Sequence, residues 1–176
     1  MSNRSQENYF IKNGYKINTN SKYTEDIFFQ NNGIIRHPQV YKFAKYLAQK
    51  SSCTHIIDIG CGRAEKLIDF FPEFEIIGID YKSNIEYCKK KYNFGTWLEF
   101  DLEKPFTLSV ESEILEKSIL ICSGVIEHLM NPTHLLDSLQ NILNYSPYCL
   151  ISTTERDLER GIDDFGPPKN LHHIRE

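Results

Sequence analysis

The sequence has no apolar run of about 20 residues, the length a helix needs to cross a bilayer. Its opening stretch, MSNRSQENYFIKNGYKINTN, lacks the apolar segment of a signal peptide. There is no C-x-x-C. The five cysteines (Cys53, Cys61, Cys88, Cys122 and Cys149) are odd in number and lie in or beside apolar runs. That pattern argues against a disulfide framework and for reduced, mostly buried thiols. Nor is there a basic block: 20 Lys and Arg are scattered among 24 Asp and Glu, for a net charge of −4. Nothing in that distribution supports a nucleic-acid partner. Repeats and low-complexity tracts are also missing. These absences lead to the expectation of a soluble, cytoplasmic protein with no membrane insertion and no nucleic-acid partner.

What is present fits one globular domain. The chain has 176 residues, 40% of them hydrophobic and 25% charged, enough for a single sizeable core. Residues 1–37, rich in Asn, Tyr and Lys, with turn signals at Asn13-Gly14 and Asn32-Gly33, read as an irregular arm. From Pro38, the spacing of Val40, Phe43, Ala44, Leu47 and Ala48 predicts a helix. Strand and helix signals then alternate. The strands are Ile56–Ile59, Glu75–Asp80, Thr96–Asp101, Ser118–Cys122 and Tyr148–Ser152. Between them fall a Lys-rich helix capped at Ser83-Asn84 and a helix opened by Pro132 that carries Leu135, Leu136, Leu139, Ile142 and Leu143. Such alternation implies crossover connections and an α/β, doubly wound, mostly parallel sheet over residues 38–153.

Ligands of such sheets bind outside the carboxyl ends of the strands, where strand order reverses. Acids and glycines gather at those ends. Asp58, Gly60 and Gly62 follow the first strand, Asp80 ends the second, Asp101 the third, and Ser123 to His128 follow the fourth. Asp80 lies 20 positions after Gly60, the separation of an acid that binds ribose hydroxyls. A dinucleotide is the obvious candidate, but Glu65 stands where G-x-G-x-x-G has its third glycine. Asp58 and Glu65 would also set negative charge near a pyrophosphate. A ligand with a ribose and a cationic tail agrees better with these residues.

From about Pro38 onward the chain resembles the class I S-adenosylmethionine-dependent methyltransferases, which have a Rossmann-like fold. DIGCG, GID, FDLEKP and SGVIEHL look like successive motifs of that family. The resemblance implies S-adenosyl-L-methionine as cofactor. Asp58, Gly60, Cys61 and Gly62 would hold its methionyl part, Asp80 and Tyr81 its ribose, and Asp101 with Leu102 its adenine. Ser123 and Gly124 would complete the cofactor set. The segment STTERDLERGIDDFGPPKNLHHIRE (residues 152–176) is similar to bacterial methyltransferases of surface-polysaccharide loci. Residues 154–176 are accordingly expected to form a substrate-recognition loop. The acceptor implied is a small molecule or glycan precursor, methylated on a sugar hydroxyl or a phosphate-type substituent.

A hydroxyl acceptor needs its proton removed. His128, His173 and Glu127 are the candidate catalytic residues, since histidine titrates near neutrality. Metal is left unassigned, because Gly124 stands where related metal-assisted enzymes carry an acid. The family's last two strands are not evident before Glu176, so a homodimer or a longer parent chain is expected to cover the sheet edge. A cofactor-binding module without turnover, a small-molecule methyltransferase of other specificity and a dinucleotide-dependent oxidoreductase are the alternative readings.

Overall fold

The apolar runs at the centre of the chain are continuous rather than alternating, as in strands covered on both faces. In the computed structural model, which describes residues 13–19 and 37–176, they form β1 (His55–Ile59), β2 (Glu75–Asp80), β3 (Thr96–Glu99), β4 (Ser118–Ser123) and β5 (Tyr148–Ser152). Every neighbouring pair is parallel, in the order β3-β2-β1-β4-β5. The expected doubly wound α/β sheet is what the chain builds. It runs outward from β1 to β3, then returns to the other side of β1 as β4. That reversal opens a crevice beyond the carboxyl ends of β1 and β4.

Among the described residues there are five helices: α1 (Pro38–Lys50), α2 (Lys82–Lys91), α3 (Ser112–Glu116), α4 (Thr133–Ile142) and α5 (Arg156–Arg160). Two 3-10 turns, Glu65–Phe70 and Ile126–His128, follow β1 and β4. Successive strand residues point to opposite faces. Ile56 of β1 therefore packs with Ala44, Leu67 and Phe70 on one side. Ile57 and Ile59 pack with Leu120, Leu135 and Leu139 on the other. Asp58 shares the face of Ile56, the face that α1 covers.

Several elements differ from the sequence reading. The buried face of α1 is Tyr41, Ala44 and Ala48, whereas Phe43 is exposed and stacks on Tyr46. The two alanines let the helix sit close to the sheet, so the large ring is the one turned outward. The N-cap of α2 is Tyr81, two residues before Ser83, and no side chain caps it. The Asn84 amide is spent on Asp80 instead. β3 stops at Glu99, before Asp101.

Residues 154–176 contain a helix, α5, whose N-cap Glu155 accepts a hydrogen bond from Leu158 N. The described part of the arm runs against this segment. Lys16 N donates to Phe165 O at 3.1 Å and Asn18 N to Ile174 O at 2.9 Å. The Tyr15 hydroxyl donates to Asp157, and the Arg156 guanidinium lies 3.9 Å over the Tyr15 ring. The expected turn at Asn13-Gly14 is present, with Gly14 at φ 91°. The turn at Asn32-Gly33, and the rest of the arm with Tyr9 and Tyr23, lie outside the described residues.

The packing of β2 on β3 makes a direct prediction. A Cβ on Gly78 would fall 2.4 Å from the ring of Trp97 and 3.0 Å from the Cys61 sulfur. Overpacking of this kind costs about 1–3 kcal/mol. Gly78→Ala should lower the urea midpoint correspondingly and shift the emission of Trp97, the single tryptophan. An unchanged midpoint and spectrum would contradict this contact.

Candidate functional site

At the end of β1 the Asp58 carboxylate is fully buried. One oxygen, Oδ2, accepts a hydrogen bond of 3.0 Å from the Tyr41 hydroxyl of α1. The other, Oδ1, has no hydrogen-bond partner among the described residues. Burial raises the acid's pKa to about 7, although the Lys66 ammonium and the Tyr41 bond pull it down. A buried carboxylate oxygen without a partner costs on the order of 1–3 kcal/mol. A cation beside Oδ1 would satisfy the oxygen and favour the ionised form.

The turn that follows leaves room for such a ligand. Gly60 has φ 80°, and a Cβ there would lie 2.2 Å from Val125 Cγ2, so no other residue fits without displacing the turn. Gly62, at φ 56°, would meet nothing within 4 Å if it carried a Cβ. The backbone thus passes through open space at the crevice. Cys61 lies between the two glycines, but its thiol points inward and is buried. Its N–H bonds to Ile79 O at 3.0 Å. The Cys61 side chain is therefore not brought into the site.

Asp80 clasps the same turn from β2. Its Oδ2 accepts from Gly62 N at 2.7 Å. Its Oδ1 accepts from Tyr81 N at 2.7 Å and from the Asn84 amide at 2.8 Å. Tyr81 itself is about half exposed at the rim. Asp101, beyond the end of β3, is tied locally to Lys104 at 2.8 Å and to Glu103 N. The Lys104 bond holds its carboxyl below the usual range. Leu102 is half-buried beside it and packs on the second core cluster.

Across the crevice, β4 ends in Ser123, whose hydroxyl is 2.7 Å from that of Ser152. Gly124 follows at φ 71°. The buried Glu127 carboxylate accepts from the Thr153 hydroxyl at 3.1 Å. Residues 170–176 fold back onto this turn. Ile174 N donates to Glu127 O at 2.7 Å, and Arg175 donates to Leu129 O at 2.8 Å and Met130 O at 3.0 Å. His173 is thereby set edge-on to His128, with ring centroids 4.9 Å apart. One ligand-type atom from each of Glu127, His128 and His173 lies within 4.8 Å of the other two. Arg160, by contrast, is engaged with Asp164 and Glu176 within the same segment.

No protein-family model and no curated protein sequence matches the chain. Solved structures do. A sugar N-methyltransferase from a Streptoalloteichus species superposes with a TM-score of 0.54 at 15% identity, over 74% of this chain and 53% of its own. An amino-pentose methyltransferase from Micromonospora echinaspora, solved with its S-adenosylmethionine bound, gives 0.55 at 12%, over 73% and 55%. An S-adenosylmethionine-dependent methyltransferase from Clostridium acetobutylicum gives 0.56 at 9%, over 72% and 54%. The chain spans about half the length of each. Its fold is that of these methyltransferases.

Within this methyltransferase fold, four residues beside the expected set were not singled out from the sequence. Tyr41 reaches Asp58, Thr153 reaches Glu127, and Asn170 reaches His173. Glu176 lies 3.6 Å from His173 Nδ1. Tyr41 was findable, since it shares the helical face of Ala44 and Ala48. The others act across loops and leave no periodic signal. Cys122, beside Ser123 in β4, is fully buried, and burial pushes its thiol well above the ordinary cysteine value.

The Asp58 environment predicts a pH dependence. Its folded pKa of about 7 lies above its ordinary value of 3.8. Between these pH values the folded chain therefore binds the extra proton, and stability falls as pH rises through that window. Asp58→Asn, which keeps an acceptor for Tyr41, should be more stable than wild type at pH 8, with the gap closing toward pH ~4. Melting curves across that range check this. A gap independent of pH would show that the buried carboxyl is not the titrating group.

Proposed function

We propose that the chain is an S-adenosylmethionine-dependent O-methyltransferase acting on a sugar hydroxyl, or a phosphate-type substituent, of a bacterial surface-polysaccharide precursor in the cytoplasm. The observation that carries the reading is Asp58 Oδ1, a buried carboxylate oxygen without a hydrogen-bond partner among the described residues, at the carboxyl end of the central strand. It suits the cationic amino-acid end of the cofactor and repels a pyrophosphate. When bound, this cofactor supplies a methyl group on a cationic sulfur that becomes a neutral thioether on transfer.

The geometry supports the remaining roles. Gly60 and Gly62 let the backbone approach the methionyl part, and Cys61 contributes through its backbone alone. Asp80 Oδ2 accepts one hydrogen bond, so its second lone pair remains for a ribose hydroxyl, with Tyr81 at the rim. Asp101 and Leu102 offer an acceptor and an apolar surface to the adenine. Ser123 and Gly124 close the opposite wall. The Glu127–His128–His173 cluster handles the proton of the acceptor hydroxyl, and residues 154–176 select the acceptor. The sugar methyltransferases that share the fold support a sugar-like acceptor.

Methyl transfer to a panel of nucleotide sugars and glycan fragments tests this reading. At least one hydroxyl-bearing acceptor should be methylated, and His173→Asn should lower kcat by about a hundredfold, the scale of acid–base assistance. Cofactor binding without transfer to any acceptor would instead favour a binding module.

A further inference from the structure

The side chains of Glu127, His128 and His173 meet from two distant parts of the sequence, and their chemistry is that of a metal site. We propose that these three residues bind a divalent first-row transition-metal ion. Two imidazoles and one carboxylate form a donor set that suits zinc, cobalt or ferrous iron better than magnesium or calcium. Donors sharing one such ion, at about 2.1 Å each, are separated by about 3–4 Å. The three atoms here lie within 4.8 Å of one another, so a side-chain adjustment of about an ångström brings them together.

The hydrogen bonds around the rings point the same way. His128 Nδ1 lies 2.9 Å from the carbonyl oxygen of His172. A carbonyl only accepts, so Nδ1 carries the hydrogen and Nε2 the lone pair. The Asn170 side-chain oxygen accepts from His172 N, which turns its amide nitrogen toward His173 Nε2 at 2.9 Å. That nitrogen therefore accepts the Asn170 hydrogen bond, which a metal would have to displace, and His173 Nδ1 faces the Glu176 carboxylate at 3.6 Å. His128 thus holds the tautomer of a metal ligand, with its Nδ1–H directed at a carbonyl, and His173 reaches the same state once a metal displaces the Asn170 amide from Nε2.

Burial supplies the driving force. Glu127 is 2% exposed and His173 is 4% exposed. No Lys or Arg forms an ion pair with Glu127 among the described residues. A divalent cation is the countercharge such a carboxylate needs. Gly124 places no side chain beside it: a Cβ there would still be 3.7 Å from Glu127 Oε1. Coordination positions beyond the three protein donors then fall to water or to an acceptor hydroxyl. A hydroxyl held there would release its proton to solvent more readily. That catalytic use rests on the methyl-transfer reading, but metal binding itself does not.

Cobalt is the probe for the test. The untagged 176-residue chain, stripped with EDTA, should bind one equivalent of Co2+ with visible d–d absorption and a raised melting temperature. Glu127→Gln and His173→Asn should each weaken Co2+ binding by more than about tenfold. His134→Asn, outside the cluster, should bind as wild type does. The absence of saturable binding by wild type, unchanged spectra in both cluster variants, or loss of binding in His134→Asn would overturn the site. Cofactor binding measured on the same stripped chain separates the two proposals. If the cofactor binds and Co2+ does not, only the metal site falls; if Co2+ binds and the cofactor does not, the metal site stands and the methyl-transfer reading falls.

Discussion

The carboxyl group of Asp58, buried at the end of the central strand, is the constraint around which the crevice is arranged. Period-two alternation in β1 puts it on the face covered by α1, where the Tyr41 hydroxyl is its one hydrogen-bond donor among the described residues. A hydrogen bond to a charged group returns about 1.5–3 kcal/mol, less than burial of a lone carboxylate withdraws. The fold tolerates that deficit at one place, beside a glycine turn clasped to β2 through Asp80. A locally unfavourable charge held by a rigid sheet is the pattern expected of a binding site rather than of a core.

The opposite wall is built differently. β4 delivers Glu127 and His128 into a short turn, but their setting depends on residues 170–176, which bond to the backbone of that turn. Arg175 spends its guanidinium on two main-chain carbonyls, and Arg160 joins Asp164 to Glu176. These charges hold the segment in place, and His173 is the member aimed at the His128 ring. The segment rests in turn on residues 13–19. The two walls thus differ in kind: one is fixed by sheet register, the other by loop-to-loop hydrogen bonds.

That difference explains what was legible in the sequence. The five strands, their order of appearance and the acids at their carboxyl ends could be read because apolar runs and glycine turns are local signals. Asp58 stood out because a turn does not need it. The inner face of α1 was misassigned because hydrophobicity favours Phe43, while close packing favours Ala44 and Ala48. Asn84 looked like a helix cap because its partner, Asp80, is set by tertiary structure. The meeting of His128 with His173, and the Thr153 and Asn170 bonds that orient the cluster, join residues with no common period. Gly124 argues against a metal site in the sequence; the fold adds His173 beside Glu127 and His128.

The most direct measurement is a calorimetric titration of the whole chain with S-adenosylmethionine and S-adenosylhomocysteine, with NAD as the comparison. The account predicts micromolar binding of the first two and none of the dinucleotide. Binding of NAD, or no heat from S-adenosylmethionine, would contradict the claim that Asp58 and its glycine turn are built for a cationic nucleoside ligand.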